Sequence, residues 1–521
     1  MADARKLFNL ADYFVDRHVR EGRGSKTAIR CEGQCLTYAQ IAENVNRAGN
    51  GLRHLGIRPS ERVMLLLPDC AEFAEAYFST IKIGAIAVPT NTALGPSEYA
   101  YLLDESEGAA LIVHSDLFPQ VERILAARKY LRQVILCGQR VSDRLFWDDF
   151  LANECTELAA YSTVETDAAF WLWTSGTTGM PKAVVHLERN WLCCCKNYAE
   201  DVLNISSDDV MFSSSKLFHA YGLGNGLMFP FYAGATSILY HGRAQASAIL
   251  AKAHASRPTL LFSVPTLYNG MLKETDRVHS YDLTSIRVAV SAAEPLPAAI
   301  FRKWKARFGI EILDGLGSTE ALHIYLSARA GKVRPGSPGE PVEGYEIRVL
   351  DNQGKDVLPG TIGDLIVRGD SMASHYWNRP ELSAERFRDG WFQTGDKLWA
   401  DQDGYLWYAG RSDEMLRVSG QWVSPVEVEG TLAEHSSVLE AAVVPYLESN
   451  GLYTVKAFVI LREDLTGTSS LVKELQTFVK QRIAPYKYPR RIQFLTELPK
   501  NAAGKLLRYK LRELDRNEQA D

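Results

Sequence analysis

The chain has 521 residues, with 58 Lys+Arg against 63 Asp+Glu, a formal charge of 58 − 63 = −5. Hydrophobic residues make up 46% and charged residues 23%, an ordinary globular balance that excludes a disordered tail and a basic nucleic-acid binder. At about 100–200 residues per domain, the length predicts two to four units.

In the first half, Arg62–Leu67, Ala85–Pro89, Ala109–His114 and Gln133–Cys137 are apolar runs that read as buried strands, with a helical pattern over Ala71–Ile83. This alternation predicts an α/β core of parallel strands with helices on both faces. In the segment Thr174-Ser175-Gly176-Thr177-Thr178-Gly179-Met-Pro-Lys182, hydroxyls, glycines and a lysine are packed between two strand-like runs, Ala169–Trp173 and Ala183–His186. Glycines let backbone N–H groups approach an anion, hydroxyls add donors and the lysine adds charge, which together make a phosphate cradle. A flexible Ser/Thr/Gly hairpin is the plain alternative. It is not a Walker A loop, because Pro181 precedes the lysine and Ala183 follows it.

Three consecutive cysteines follow. Trp191, Cys195, Tyr198 and Val202 share one helix face, so Cys195 reads as core packing rather than as a nucleophile. Gly222, Gly224 and Gly226 lack dinucleotide-binding spacing. After about residue 330, Gly-Pro turns multiply and short strands follow, as in a small barrel or meander, with a hairpin turning at Asp403-Gly404. The last hundred or so residues mix strands and helices, including an amphipathic run from Ser470 to Ile483, and a boundary is placed near Ser412–Glu414.

Eight cysteines are too sparse for a disulfide scaffold, and no CxxC pair or Cys/His cluster has zinc spacing, so no structural metal is read. The opening MADARKLFNLADYF lacks signal-peptide layout, and no apolar run approaches the roughly 18–20 residues of a membrane span. The expectation is a cytoplasmic protein of a reducing compartment.

The loop at 174–182 resembles the phosphate-binding loop of the adenylate-forming superfamily: acyl- and aryl-CoA ligases, luciferases and peptide-synthetase adenylation domains. Four further segments match in order: Asp314-Gly315-Leu316-Gly317-Ser318-Thr319-Glu320, Thr394-Gly-Asp396, Gly410–Gly420 and Pro499–Lys505. The resemblance covers essentially the whole chain. It implies an α/β fold in which residues 1–412 form a large N-terminal domain of α/β subdomains plus a small β-barrel. Residues 413–521 then form a smaller, mobile α+β domain carrying a catalytic lysine.

The implied reaction is attack of a carboxylate on the α-phosphorus of ATP, followed by transfer of the acyl group to a thiol. Loop residues 174–179 with Lys182, Ala292, Ala293 and Glu294, and residues 314–318, are then expected around the nucleotide. Thr319 would meet the α-phosphate, Glu320 would hold Mg²⁺, and Asp396 with Arg411 would meet the ribose. Lys505 would act in adenylation. The C-terminal domain would rotate about Asp413 for the second step, bringing Ser419 and Gly420 to the pantetheine tunnel. Taken alone, Glu320 reads as a helix N-terminal residue, Asp396 as a turn aspartate, Arg411 as a surface ion pair and Lys505 as solvated.

The segment Lys216–Gly226, with Leu322-His323-Ile324 and Ser291–Glu294, resembles the benzoate-CoA ligase branch. That branch places Ala220, Tyr221, Gly222, Gly317, His323 and Ile324 around a flat aryl ring, with Tyr221 closing the pocket to long chains. Phe218, His219 and Ala220 supply no carboxylate for an α-ammonium group, which argues against amino acids. His219 departs from the phenylalanine expected there: it is either a gate on the CoA tunnel or a partner for a polar ring substituent. Benzoate and 2-aminobenzoate (anthranilate) both stay open. Further departures are Ala183, Ala293 and Arg417. The chain carries no fused carrier-protein site, so CoA is the simplest acceptor and a separate carrier protein the alternative. Lys487, Arg490 and Arg491 form a basic group that could meet CoA phosphates, with a solvated face as the plainer reading. A homodimer is left open.

Overall fold

The computed structural model describes residues 7–141, 143–174, 180–277, 281–412, 415–418, 421–448, 453–462, 465–500 and 506–520. Strands Arg62–Leu66, Ile86–Pro89, Ala110–His114 and Gln133–Cys137 form where the apolar runs lie, and all pair in parallel. Their almost continuous burial is what a sheet covered on both faces requires. Helix Ala71–Lys82 is buried on every side, which explains its alanines and aromatics. Helix Tyr38–His54 starts at a reciprocal cap: Thr37 Oγ1 accepts from the Gln40 N–H, and Gln40 Oε1 accepts from the Thr37 N–H.

These strands belong to an eight-stranded sheet that also holds Ala168–Thr174, Lys182–Leu187 and, at one edge, His375–Tyr376. A second sheet of nine strands runs through Thr27–Cys31, Val210–Ser213, Thr236–Leu239, Leu260–Ser263, Val288–Ser291, Ile312–Gly317 and Ile324–Ser327. One continuous hydrophobic core joins the two sheets.

The expected small β unit is a five-stranded antiparallel sheet built on Tyr345–Leu350, Gly363–Gly369 and Trp391–Ala400. A bridge between Gly339 and Leu406 ties its strand Leu406–Arg411 to the residue before Glu340–Pro341, an edge strand of the nine-stranded sheet. The hairpin turn holds Gly404 at φ +87.

The C-terminal part is α+β. Strands Val438–Leu447, Tyr453–Leu461 and Arg491–Leu495 are covered by helices Pro425–Ala433, Ser469–Lys480 and Arg508–Ala520. Its core begins at Leu416 and is separate from the one that ends at Leu406 and Tyr408. The proposed hinge, Asp413, lies between them and outside the described residues. Two members of the basic group near residue 490 are ion-paired rather than simply solvated: Lys487 binds Glu427 at 2.6 Å and Arg491 binds Glu448 at 2.9 Å, while Arg490 is exposed.

Candidate active site

The phosphate loop joins two antiparallel strands, as expected, with Thr174 paired to Lys182. Ser175, Gly176, Thr177, Thr178 and Gly179 lie outside the described residues, as do Ser419, Gly420 and Lys505. Lys182 sits over the Tyr376 ring, its ammonium 4.0 Å from the centroid. Burial lowers its pKa, with Arg386 and Arg411 acting in the same sense and Glu320 opposing them.

Tyr376 is the link that sequence reading missed. Its hydroxyl donates to Glu320 Oε1 at 2.7 Å while its ring faces Lys182. The segment carrying it is stitched to the site by backbone bonds, Ala373 N–H to the Glu320 carbonyl at 2.7 Å and Trp377 N–H to the Ala183 carbonyl at 3.0 Å. Glu320 is therefore a turn residue beyond strand Ile312–Gly317 and not the start of a helix. The preceding Thr319 carbonyl accepts from His186 Nε2 at 2.8 Å. Burial pushes the His186 pKa down to about 4, so the ring is neutral and its Nε2 proton is committed to this bond.

Asp396 lies in strand Trp391–Ala400, not in a turn, and pairs in register with Arg411 on the next strand. Its Oδ1 accepts from Arg411 Nη1 and from the Tyr408 hydroxyl, each at 3.2 Å. Burial raises the Asp396 pKa; Arg411 and Tyr408 resist that rise, and Glu320 adds to it. Gly395, at φ +76, bends the strand where a Cβ would come within 3.1 Å of both Arg386 and Arg411. Lys182, Glu320, Tyr376, Asp396 and Arg411, separated by up to 229 residues (411 − 182), thus form one polar cluster.

Asp314 behaves differently from its neighbours. It is buried with its pKa pushed up to about 8, and its Oδ2 accepts from the Leu296 N–H at 3.3 Å. It is a neutral acid turned into the core at neutral pH. Ser318 Oγ accepts from the Ala321 N–H, which shapes the Glu320 turn. In the adjacent segment Ala292 is buried, Glu294 accepts from Thr266 at 2.8 Å, and Ala293 is exposed at φ +72. That left-handed backbone favours glycine, because a Cβ is disfavoured there.

The acyl segment is pinned by Lys216, which donates to the Tyr240 carbonyl at 2.6 Å and pairs with Asp69 at 3.5 Å. Beyond it, residues 220–233 form one helix with a π-helical turn over Gly224–Met228. Such turns often mark functional sites. The Tyr221 hydroxyl reaches the Ser263 and Val290 carbonyls at 3.3 and 3.2 Å, spanning toward the sheet.

His323 lies 5.6 Å from Tyr221, ring to ring, and is also enclosed by Tyr198 and Phe229. Burial drives its pKa to about 3, so the ring is neutral. A Cβ at Gly317 would come 2.4 Å from the His323 carbonyl, and Ile324 packs against Gly315. Gly222 lies against the Lys216 carbonyl, where it lets the helix start close to its own loop.

His219 precedes the helix, 4.5 Å from the Phe218 ring. It is solvent-accessible, yet desolvation by the surrounding protein holds its pKa down at about 4, which leaves the imidazole neutral. The cysteine run is inert by placement, with Cys194 and Cys195 buried and the Cys195 thiol pushed well above its ordinary pKa.

Comparison with known proteins agrees with this geometry. The AMP-binding enzyme model matches residues 15–377 and the AMP-binding enzyme C-terminal domain matches residues 427–505. The benzoate-CoA ligase of Thauera aromatica is 41% identical over 507 residues, 97% of this chain and 96% of that protein. The anthranilate CoA ligase AuaEII, solved with anthranoyl-AMP, superposes with a TM-score of 0.94 at 39% identity, over 99% of this chain and 98% of that one. A benzoate CoA ligase structure from Burkholderia xenovorans LB400 gives 0.89 at 41% identity, over 97% and 100%. With both parts of the chain matched in order, and the nucleotide-motif residues gathered in one cluster, the protein belongs to the AMP-binding enzyme family, in its benzoate-CoA ligase-like branch.

Proposed function

We propose that this chain is an ATP-dependent aryl-CoA ligase acting on benzoate or an ortho-substituted benzoate such as 2-aminobenzoate. An aryl carboxylate oxygen attacks the α-phosphorus of ATP, and pyrophosphate leaves. The thiol of CoA then attacks the carbonyl of the aryl-AMP, and AMP leaves. The observation that carries the acid class is the pairing of Tyr221 with a neutral His323 at 5.6 Å. In this reading the two flat rings would line the acyl pocket, with the Tyr221 hydroxyl held by the Ser263 and Val290 carbonyls so that the ring leaves little room for a long chain.

The residue roles follow from chemistry. Lys182, with loop residues 174–179, neutralises the leaving pyrophosphate. Thr319 meets the α-phosphate, and Asp396 accepts from the ribose hydroxyls while Arg411 keeps it charged. Glu320 fits Mg²⁺: Tyr376 engages Oε1, and Oε2 would offer the cation a hard carboxylate oxygen. Bound there, Mg²⁺ would draw charge from the phosphate oxygens. Lys505 serves adenylation. Rotation about Asp413 then brings Ser419 and Gly420 to the CoA tunnel; neutral His219 either gates that tunnel or meets a polar ring substituent. Residues 1–412 and 413–521 are the two moving bodies, and ATP and CoA as substrates suit the cytoplasm.

Pyrophosphate release should be measured with benzoate, 2-aminobenzoate, 2- and 4-hydroxybenzoate, a medium-chain fatty acid and an α-amino acid. Benzoate or 2-aminobenzoate is expected to lead, and preference for the fatty or amino acid refutes the assignment. His219→Phe then separates its two readings. An unchanged ranking with slower thioester formation marks a gate, whereas a changed ranking marks a substituent contact.

A further inference from the structure

The two α/β sheets meet at a side-chain cluster that the ligase chemistry does not use. Among the described residues, His114, Asp116 and His241 each offer one ligand atom, all within 4.8 Å of one another. His114 ends strand Ala110–His114 of the eight-stranded sheet, and His241 follows strand Thr236–Leu239 of the nine-stranded sheet. Both strands run parallel to their neighbours, and the cluster lies beyond their carboxyl ends, where open α/β sheets place ligand sites.

The donor set is two imidazoles and one carboxylate, which suits a borderline divalent transition ion and not Mg²⁺ or Ca²⁺. Asp116 Oδ2 lies 3.5 Å from His114 Nδ1 and 3.8 Å from His241 Nε2. Tetrahedral Zn²⁺ with bonds of about 2.0–2.1 Å separates its ligands by roughly 3.4 Å, so these two spacings need little adjustment. The imidazoles meet edge to face, centroids 4.9 Å apart at 76°. His114 Nδ1 is unprotonated, because it accepts from the Asp116 N–H at 3.3 Å, a long bond that an ion taking the same lone pair would displace. Gly138 clears the other side of the ring, where a Cβ would come 2.6 Å from Nε2. Burial also lowers the His114 pKa, which reduces competition from protons.

We infer that His114, Asp116 and His241 form a site for one divalent transition ion, Zn²⁺ by its donor set, which clamps the two sheets and leaves its remaining coordination to water. The clamp would bear on the acyl segment, because the residue before His241 is Tyr240, whose carbonyl holds Lys216.

The test uses the full chain, freed of metal by chelation and titrated with Co²⁺ in the absence of ATP. The expected result is visible d–d absorption that saturates at a single Co²⁺ per chain without a thiolate charge-transfer band. Glu320→Gln should leave it unchanged, while His241→Ala and the surface change Asp116→Asn should each abolish it. Zn²⁺ should raise the melting temperature of the wild type and not that of Asp116→Asn. Absence of the bands, their survival in both variants, or a thiolate band pointing to cysteine would each overturn the site.

Discussion

Asp396 and Arg411 stand directly opposite each other on one antiparallel ladder, and the guanidinium reaches the carboxylate at 3.2 Å. Asp396 is buried, and the strand pairing itself supplies the positive charge that favours its ionised form against that burial. Burial has raised the Asp396 pKa, so ATP binding that needs the anion weakens as pH falls through that raised value. Arg411→Ala should move this weakening to higher pH and raise the KM for ATP about tenfold near neutrality. A KM–pH profile identical to the wild type would show that Arg411 does not control Asp396.

Tyr376 divides its work between hydroxyl and ring, which makes the two separable. Tyr376→Phe removes only the bond to Glu320, and a hydrogen bond to a charged group is worth about 1.5–3 kcal/mol, so kcat/KM should fall roughly ten- to a hundredfold. Tyr376→Leu also removes the face under Lys182 and should lose more. Equal losses in single-turnover adenylation would contradict the division.

His186 reaches the Thr319–Glu320 turn from the strand that follows the phosphate loop, and its ring stacks on Phe170 at 5.1 Å. His186→Ala leaves a cavity and an unmet carbonyl, a loss of about 2–4 kcal/mol in urea unfolding. His186→Gln restores a donor and should recover adenylation more than it recovers stability. If glutamine rescued neither, the ring would be acting through packing alone.

Glu188 accepts from the Leu10 N–H at 2.7 Å, and burial pushes its pKa up to about 8. The folded state therefore keeps a proton that the unfolded chain gives up near its ordinary carboxylate pKa. Its contribution to stability is greatest below that unfolded value and is lost as pH rises through about 8. Glu188→Gln should flatten the fall in melting temperature between about pH 5 and about pH 9. Parallel slopes in the two proteins would rule this out.

Local pattern made much of the fold legible. The apolar runs at 62–67, 85–89, 109–114 and 133–137 became parallel strands because a sheet covered on both faces leaves no polar alternation to misread. Ordered motifs located Lys182, Glu320, Asp396 and Arg411. What stayed hidden was contact between distant segments: Tyr376 on Glu320, His186 on Thr319 and Tyr408 on Asp396 carry no local signature. Asp314 reads as a nucleotide-side acid, yet burial makes it neutral, and only the fold reveals that. Cysteine and histidine spacing gave no metal site for the same reason. His114 and His241 are brought together by two different sheets.

The most direct test of the ligase assignment is product identification. The purified chain is supplied with ATP, Mg²⁺, CoA and either benzoate or 2-aminobenzoate, and the products are read by mass spectrometry. The account predicts AMP, pyrophosphate and the aryl-CoA thioester in equal amounts, none of them formed without the acid. ADP in place of AMP, or AMP with no thioester when CoA is present, would contradict it.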